Sequence, residues 1–273
     1  GIKREEKIKE IIKKGKIRVL GPNCIGVFDN YSGLDTLFIP DTRMEKPKPG
    51  YVSFLSQSGA ILSMFLDWMS KENLGVAKGI SYGNKVDIDE ADLIYYLTFD
   101  DQTKVILVYI EGLDEGKGKK FIEACKFASL HKPIIVVKGG KSSFGAKAAL
   151  SHTGVLAGDY DIYKAAFKQA NVIEAKNLQE MIDMAKALIM QPLPLGNRVA
   201  VITNAGGIGV TVCDMLEEYG FIVPEIDKNT QELLKKNLPE RCSTSNPIDL
   251  TGDADPERYR IAIEAVLKLD YID

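Results

Sequence analysis

The chain has 273 residues, 45% hydrophobic and 27% charged, with a net charge of −3, the composition of a soluble globular protein long enough for two domains. Beyond the first helix no stretch concentrates Lys and Arg, which argues against nucleic-acid binding, and no apolar run reaches the roughly 18 residues of a membrane span. No signal peptide opens the chain, and Cys24, Cys125, Cys213 and Cys242 are scattered without CxxC spacing or a nearby histidine. We therefore expect no metal site and read the cysteines as reduced thiols of a cytoplasmic protein. The chain opens without Met inside an amphipathic helix and stops where a helix gives way to a strand, so it reads as a piece of a longer polypeptide.

In chain order, residues 3–14 carry Ile8, Ile11 and Ile12 at helical spacing. A short strand over 17–20 runs into Gly21-Pro22-Asn23-Cys24, a sharp turn with exposed backbone. An irregular segment ends in Lys46-Pro47-Lys48-Pro49-Gly50, a stiff linker that closes a first piece at residues 1–47. From Tyr51 strands and helices alternate: strands over 51–56, 76–82, 105–111, 133–138 and 172–174, helices over 60–70, 90–99, 117–130, 160–169 and 178–190. Five strands interleaved with helices imply a parallel sheet covered on both faces, an α/β, doubly wound, flavodoxin-like domain over 48–192. A second linker, Gln191–Asn197, leads to strands over 198–203 and 221–225 and helices after 204–209, over 231–237 and over 256–267, the start of a second such domain at 193–273.

Ligands of open parallel sheets sit beyond the carboxyl ends of the strands. The turn Ser56-Gln57-Ser58-Gly59 opens a helix, where free N–H groups and the helix dipole favour phosphate; a plain serine N-cap would read the same way. Thr203-Asn204-Ala205-Gly206-Gly207-Ile208-Gly209 repeats the pattern without GxGxxG spacing, so it is no dinucleotide fingerprint. Gly139-Gly140-Lys141-Ser142 resembles the end of a phosphate-binding loop, but Ile135 stands where its first glycine belongs. Glu111 ends the most apolar strand; it either orients an imidazole or is solvated just past the strand. His131 precedes Lys132-Pro133 at a helix end and suits the terminal carbonyls. The other histidine of the two, His152, lies in Ser151-His152-Thr153-Gly154, within a Gly/Ala/Ser/Thr loop that would let it accept a group and hand it on.

Assembled, these motifs resemble the NDP-forming acyl-CoA synthetases, relatives of succinyl-CoA synthetase, across nearly the whole chain. Gly21-Pro22-Asn23-Cys24 is similar to the end of that family's CoA-binding Rossmann domain. Ser56, Gln57, Ser58 and Gly59 resemble a first phosphate-holding helix start, and Ala205, Gly206 and Gly207 a second. Glu111 matches the histidine-orienting glutamate, and His152 with Ser151, Thr153 and Gly154 the phosphohistidine loop. Asn246-Pro247-Ile248-Asp249-Leu250 is similar to a further segment of the last domain.

The resemblance implies acyl-CoA + ADP (or GDP) + phosphate ⇌ acid + CoA + ATP (or GTP), through an acyl phosphate and a phosphohistidine at His152. It also implies coenzyme A, ATP/ADP with Mg2+, phosphate and a small acyl substrate, an ATP-grasp subunit or domain that this chain lacks, and an oligomer. A non-catalytic acyl-CoA-sensing module, as in fusions to protein acetyltransferases, is the alternative; an FMN-binding flavodoxin would leave His152 and the second domain unexplained.

Overall fold

The computed structural model describes residues 2–15, 17–40, 42–142, 144–145 and 159–273. They fall into two compact units, Gly1–Pro192 and Leu193–Asp273.

The first unit is built on strands β1 (Val27–Asp29), β2 (Leu34–Asp35), β3 (Pro49–Ser56), β4 (Val76–Ser81), β5 (Val105–Ile110), β6 (Ile134–Lys138) and β7 (Ile173–Glu174), in the spatial order β2-β1-β4-β3-β5-β6-β7. β3 to β7 are parallel, and their order, 2-1-3-4-5 when counted from β3, is that of the flavodoxin-like doubly wound fold. Its helices among the described residues include α1 (Ile2–Lys14), α2 (Gly59–Lys71), α3 (Glu90–Thr98), α4 (Gly118–Ser129), α5 (Tyr160–Gln169) and α6 (Leu178–Met190).

The strands are apolar on both faces and sort their side chains by parity. Phe54, Val105, Leu107, Ile135 and Val137 share one core with Leu62, Phe65 and Leu66 of α2 and Met181 and Ile182 of α6. Leu55, Ile106, Val108, Ile110, Ile134 and Val136 share the other with Ile94 of α3, Phe121 of α4 and Phe167 of α5. A strand period of two thus gives each residue of β5, and Ile134 to Val137 of β6, to one side or the other, and neither strand has a polar face.

Residues 27–35, grouped by the sequence reading with the preceding segment 1–47, extend this sheet: β1 pairs antiparallel with β4 and with β2. Side chains tie them on. Asn30 donates to the carbonyls of Val76 and Pro47, and Lys78, buried in β4, lies 3.3 Å from both Asp29 and Asp100. Burial works against the Lys78 charge, yet the bonds to Asp100 and Asp29 hold its pKa above the ordinary value.

Three expected strands are shorter or absent, and each loss has a cause. Residues 17–20 form no ladder because the Val19 amide is taken by the Asp87 carboxylate at 2.7 Å. In the second unit the strand expected over 198–203 shrinks to β8 (Ile202–Thr203), which pairs in parallel with β9 (Ile248–Asp249). Asn246 stands in for a neighbouring strand there: its Oδ1 accepts from the Val201 amide, and its Nδ2 donates to the carbonyls of Val199 and Pro224. Residues 221–225 consequently keep a single bridge, Arg198 to Ile222. The second unit's helices are α7 (Gly206–Glu218), α8 (Lys228–Asn237) and α9 (Pro256–Val266); Leu234, Ile248, Leu250 and Ala262 are at its core.

Candidate functional site

The strand order reverses between β3 and β5, and the crevice at their carboxyl ends is where doubly wound sheets bind ligands. A cavity of about 260 Å³ opens there, lined by Asn23, Cys24, Phe38, Gln57, Ser58, Gly59, Asn84 and Glu111 among others. Side chains the sequence reading assigned to three separate motifs therefore share one wall.

Each comes from a locally explicable turn. Ser58 is the N-cap of α2: its backbone is extended, and its hydroxyl oxygen accepts from the Ile61 amide at 3.5 Å. The first amides of the helix have no acceptor within it, and they sit at the positive end of its dipole. Ser56 is fully buried, its hydroxyl donating to the Ser58 carbonyl at 2.6 Å, so it shapes the turn from behind. The 21–26 turn is fastened to the loop beyond β4. The Gly21 carbonyl accepts from Val86 N, the Pro22 carbonyl from Asn84 N, and Ser81 N donates to the Gly26 carbonyl. Gly83 permits this closeness: its φ is +52°, and a Cβ there would stand 2.2 Å from the Pro22 oxygen. Gly21 and Pro22 thus act through backbone, while Asn23 and Cys24 line the cavity.

Glu111 is 8% exposed and follows directly on β5. The turn that carries it is bonded at consecutive peptide groups. The Tyr109 carbonyl accepts from Gln57 N and from the Tyr82 hydroxyl, and the Ile110 carbonyl from Gly139 N. The amides of Glu111 and Gly112 both donate to Gln57 Oε1, at 2.8 and 3.2 Å. The Glu111 carbonyl accepts from Lys138 Nζ at 2.7 Å, the Gly112 carbonyl from Lys85 Nζ at 2.8 Å, and Leu113 N donates to the Tyr163 hydroxyl.

The ionisable groups around it are strongly perturbed. Burial lowers the Lys138 pKa to about 8, with the Glu111 charge pulling the other way, and its ammonium lies 4.7 Å from the Tyr163 ring centre. Burial and the neighbouring Glu111 push the Tyr109 hydroxyl up to about 12. Tyr82, wholly enclosed and facing Glu90 and Glu111, is raised well above its ordinary value. Lys85 and Glu90 are a buried pair at 3.3 Å, Glu90 raised by burial against the opposing pull of Lys85.

Tyr82, Lys85, Lys138 and Tyr163 were not singled out from the sequence, and Tyr109 only as part of the Tyr109-Ile110-Glu111-Gly112 stretch. The one available signal is charge or hydroxyl at the end of an apolar strand, as in Ile134-Ile135-Val136-Val137-Lys138.

His152, with Ser151, Thr153 and Gly154, lies outside the described residues. His131, the helix-end histidine, places its ring 5.2 Å from that of Phe127. In the second unit, Ala205, Gly206 and Gly207 begin α7, with Ala205 at the cap position and no side-chain cap. Asp249 lies against this start: a Cβ on Gly206 would come within 2.6 Å of its Oδ2.

The fold is doubly wound α/β, with a crevice at the switch point of its sheet. Residues 49–188 match the succinyl-CoA ligase like flavodoxin domain, and residues 199–272 the ligase-CoA domain. The chain belongs to this succinyl-CoA ligase-like family.

Among its relatives, the chain is 44% identical over 253 residues to an ADP-forming acetate–CoA ligase of Methanocaldococcus jannaschii, covering 93% of this chain and 35% of that protein. It is 42% identical to the alpha subunit of ADP-forming acetate–CoA ligase II of Pyrococcus furiosus, covering 99% and 58% respectively. A solved acetyl-coenzyme A synthetase of Ca. Korarchaeum cryptofilum, in complex with phosphate and ADP, superposes with a TM-score of 0.90 at 38% identity, over 98% of this chain and 57% of that one. The chain thus spans between about a third and three-fifths of the length of these relatives.

Proposed function

We propose that the protein containing this chain is an NDP-forming acyl-CoA synthetase, converting acyl-CoA, ADP (or GDP) and phosphate into acid, CoA and ATP (or GTP), and that His152 carries the phosphoryl group between acyl phosphate and nucleotide. The observation that carries the reading is the switch-point cavity, whose wall combines the start of α2, the 23–24 turn and Glu111. The kinship with ADP-forming ligases supports it.

Phosphoryl transfer asks for positioned charge stabilisation more than for covalent help from the protein. Amides at the start of α2, around Ser58 and Gly59, would meet the phosphoryl oxygens as fixed dipoles that need no reorganisation. Glu111, on its braced turn, would accept a hydrogen bond from one imidazole nitrogen of His152 and so fix the tautomer that leaves the other nucleophilic. Asn23 and Cys24 would face the CoA side. Ala205, Gly206 and Gly207 would supply a second helix start for the phosphoryl group. The nucleotide and its Mg2+ belong to an ATP-grasp subunit or domain, and the working enzyme is an oligomer of the two.

The test is intact mass spectrometry of the full-length protein with Mg-ATP and its nucleotide-binding partner, wild type beside His152→Asn. One added phosphoryl group that is acid-labile, alkali-stable and missing from the variant is expected. No gain, with a partner competent toward another histidine subunit, would sink the reading in favour of an acyl-CoA-sensing module.

A further inference from the structure

We infer that Gln57 is a positioning residue for Glu111, holding it through the backbone, and that its side-chain oxygen is not available to a phosphate site. The inference rests on the phosphohistidine reading above.

Three bonds run from this one residue to the end of β5. Gln57 N donates to the Tyr109 carbonyl at 3.1 Å, and Gln57 Oε1 accepts from the amides of Glu111 and Gly112 at 2.8 and 3.2 Å. Both side-chain partners are N–H donors, so the orientation of the amide is fixed by chemistry: oxygen faces the turn. Gln57 is 5% exposed, and water cannot readily replace what it supplies.

Its place in the chain gives the contact its meaning. Gln57 immediately precedes the cap of α2, so the residue that holds Glu111 also stands at the helix start that faces the cavity. The anion-facing amides and the carboxylate are thereby one body. Remove Oε1, and two buried amides lose their acceptor beside Gly112, a residue with wide conformational freedom. Glu111 then keeps its charge and loses its aim.

A phosphate ligand and a positioning residue fail differently. Gln57→Met keeps length and removes the acceptor. With the full-length protein, its nucleotide-binding partner and Mg-ATP, we expect the rate of phosphohistidine formation to fall roughly 10- to 100-fold, the cost of a misplaced reacting group. In the opposite direction, with acyl-CoA, ADP and phosphate as substrates, the KM for inorganic phosphate should stay within about threefold, because binding common to ground and transition states is not what is lost. In a Glu111→Gln background the same substitution should add less than about a twofold effect, since coupled residues are not additive. Hydrogen exchange in a peptide spanning 109–113 should accelerate.

Gln57→Asn, one methylene shorter, keeps at most one of the two bonds; it should give an intermediate loss and serves if the Met variant does not fold. A phosphate KM that rises with kcat unchanged, or effects that multiply with Glu111→Gln, would overturn the inference in favour of direct ligation. Wild-type rates in both variants would overturn it outright. Failure of the wild type itself to phosphorylate His152 would instead strike the underlying reading.

Discussion

Lys138 and Glu111 are joined through the main chain: the ammonium at the end of β6 donates to the carbonyl at the end of β5 across 2.7 Å, in a setting that leaves Lys138 only 3% exposed. A second bond goes to the Gly139 carbonyl at 2.5 Å. The lysine buries its ammonium while bracing a turn, and that burial pulls its pKa down to about 8.

This makes the brace dependent on pH. Burial lowers the Lys138 pKa from 10.5 to about 8, so between these values the unfolded chain holds a proton that the folded chain does not. Its contribution to stability therefore rises with pH across that window. Lys138→Met should destabilise by about 1–2 kcal/mol more at pH 9.5 than at pH 7. Urea unfolding at the two pH values measures this, and an equal cost at both would refute it.

Lys85 and Glu90 form a buried pair that also holds the Gly112 carbonyl. Removing one partner strands the other, so Lys85→Met should cost about 3–5 kcal/mol, while Lys85→Met with Glu90→Leu should cost clearly less than the two single changes combined. A double-mutant cycle by chemical denaturation decides; strict additivity would count against coupling.

Gly83→Ala combines a left-handed backbone with a Cβ 2.2 Å from the Pro22 oxygen. The expected loss is about 1–3 kcal/mol, with the 21–26 turn pushed off the cavity wall. Calorimetry gives the first number. An unchanged melting temperature would show that the loops part without penalty.

Glu111→Gln leaves the braced turn its backbone bonds and removes the carboxylate charge. Phosphohistidine formation should slow roughly 10- to 100-fold, with little change in melting temperature. Rapid-quench phosphorylation against thermal unfolding separates these effects, and an unslowed rate would remove Glu111 from the orienting role.

The alternation of β3 to β7 with their helices could be read from the sequence because runs such as Val105–Ile110 and Ile134–Lys138 are continuous and apolar, and helices α5 and α6 carry an Asp or Asn cap. The β1–β2 hairpin could not. Its strands have three and two residues, too few for a period, and what holds them is Lys78 reaching Asp29 from another strand. In the second unit residues 198–203 and 221–225 have strand-like composition and form only a two-residue strand and a bridge, because a single side chain, Asn246, takes bonds a neighbour would make. The site divides in the same way. Gln57 and Glu111 stood out individually, one read as an anion turn and the other as a lone carboxylate. That they bond to each other across 54 residues is a property of register, which no local pattern encodes.

Register gives the cavity a further meaning for how the chain folds. Ser56 is level with Tyr109 in the β3–β5 ladder, and the Gln57 contacts follow one step beyond. A slip of one residue would turn every side chain of a strand to the opposite core and carry Gln57 away from its amides. Because this pairing is parallel and long in sequence separation, it belongs to the slow part of assembly. Compact species with their helices in place but this pairing unformed would remain silent in any assay of the site, so recovery of phosphorylation during refolding should trail the return of helical circular dichroism.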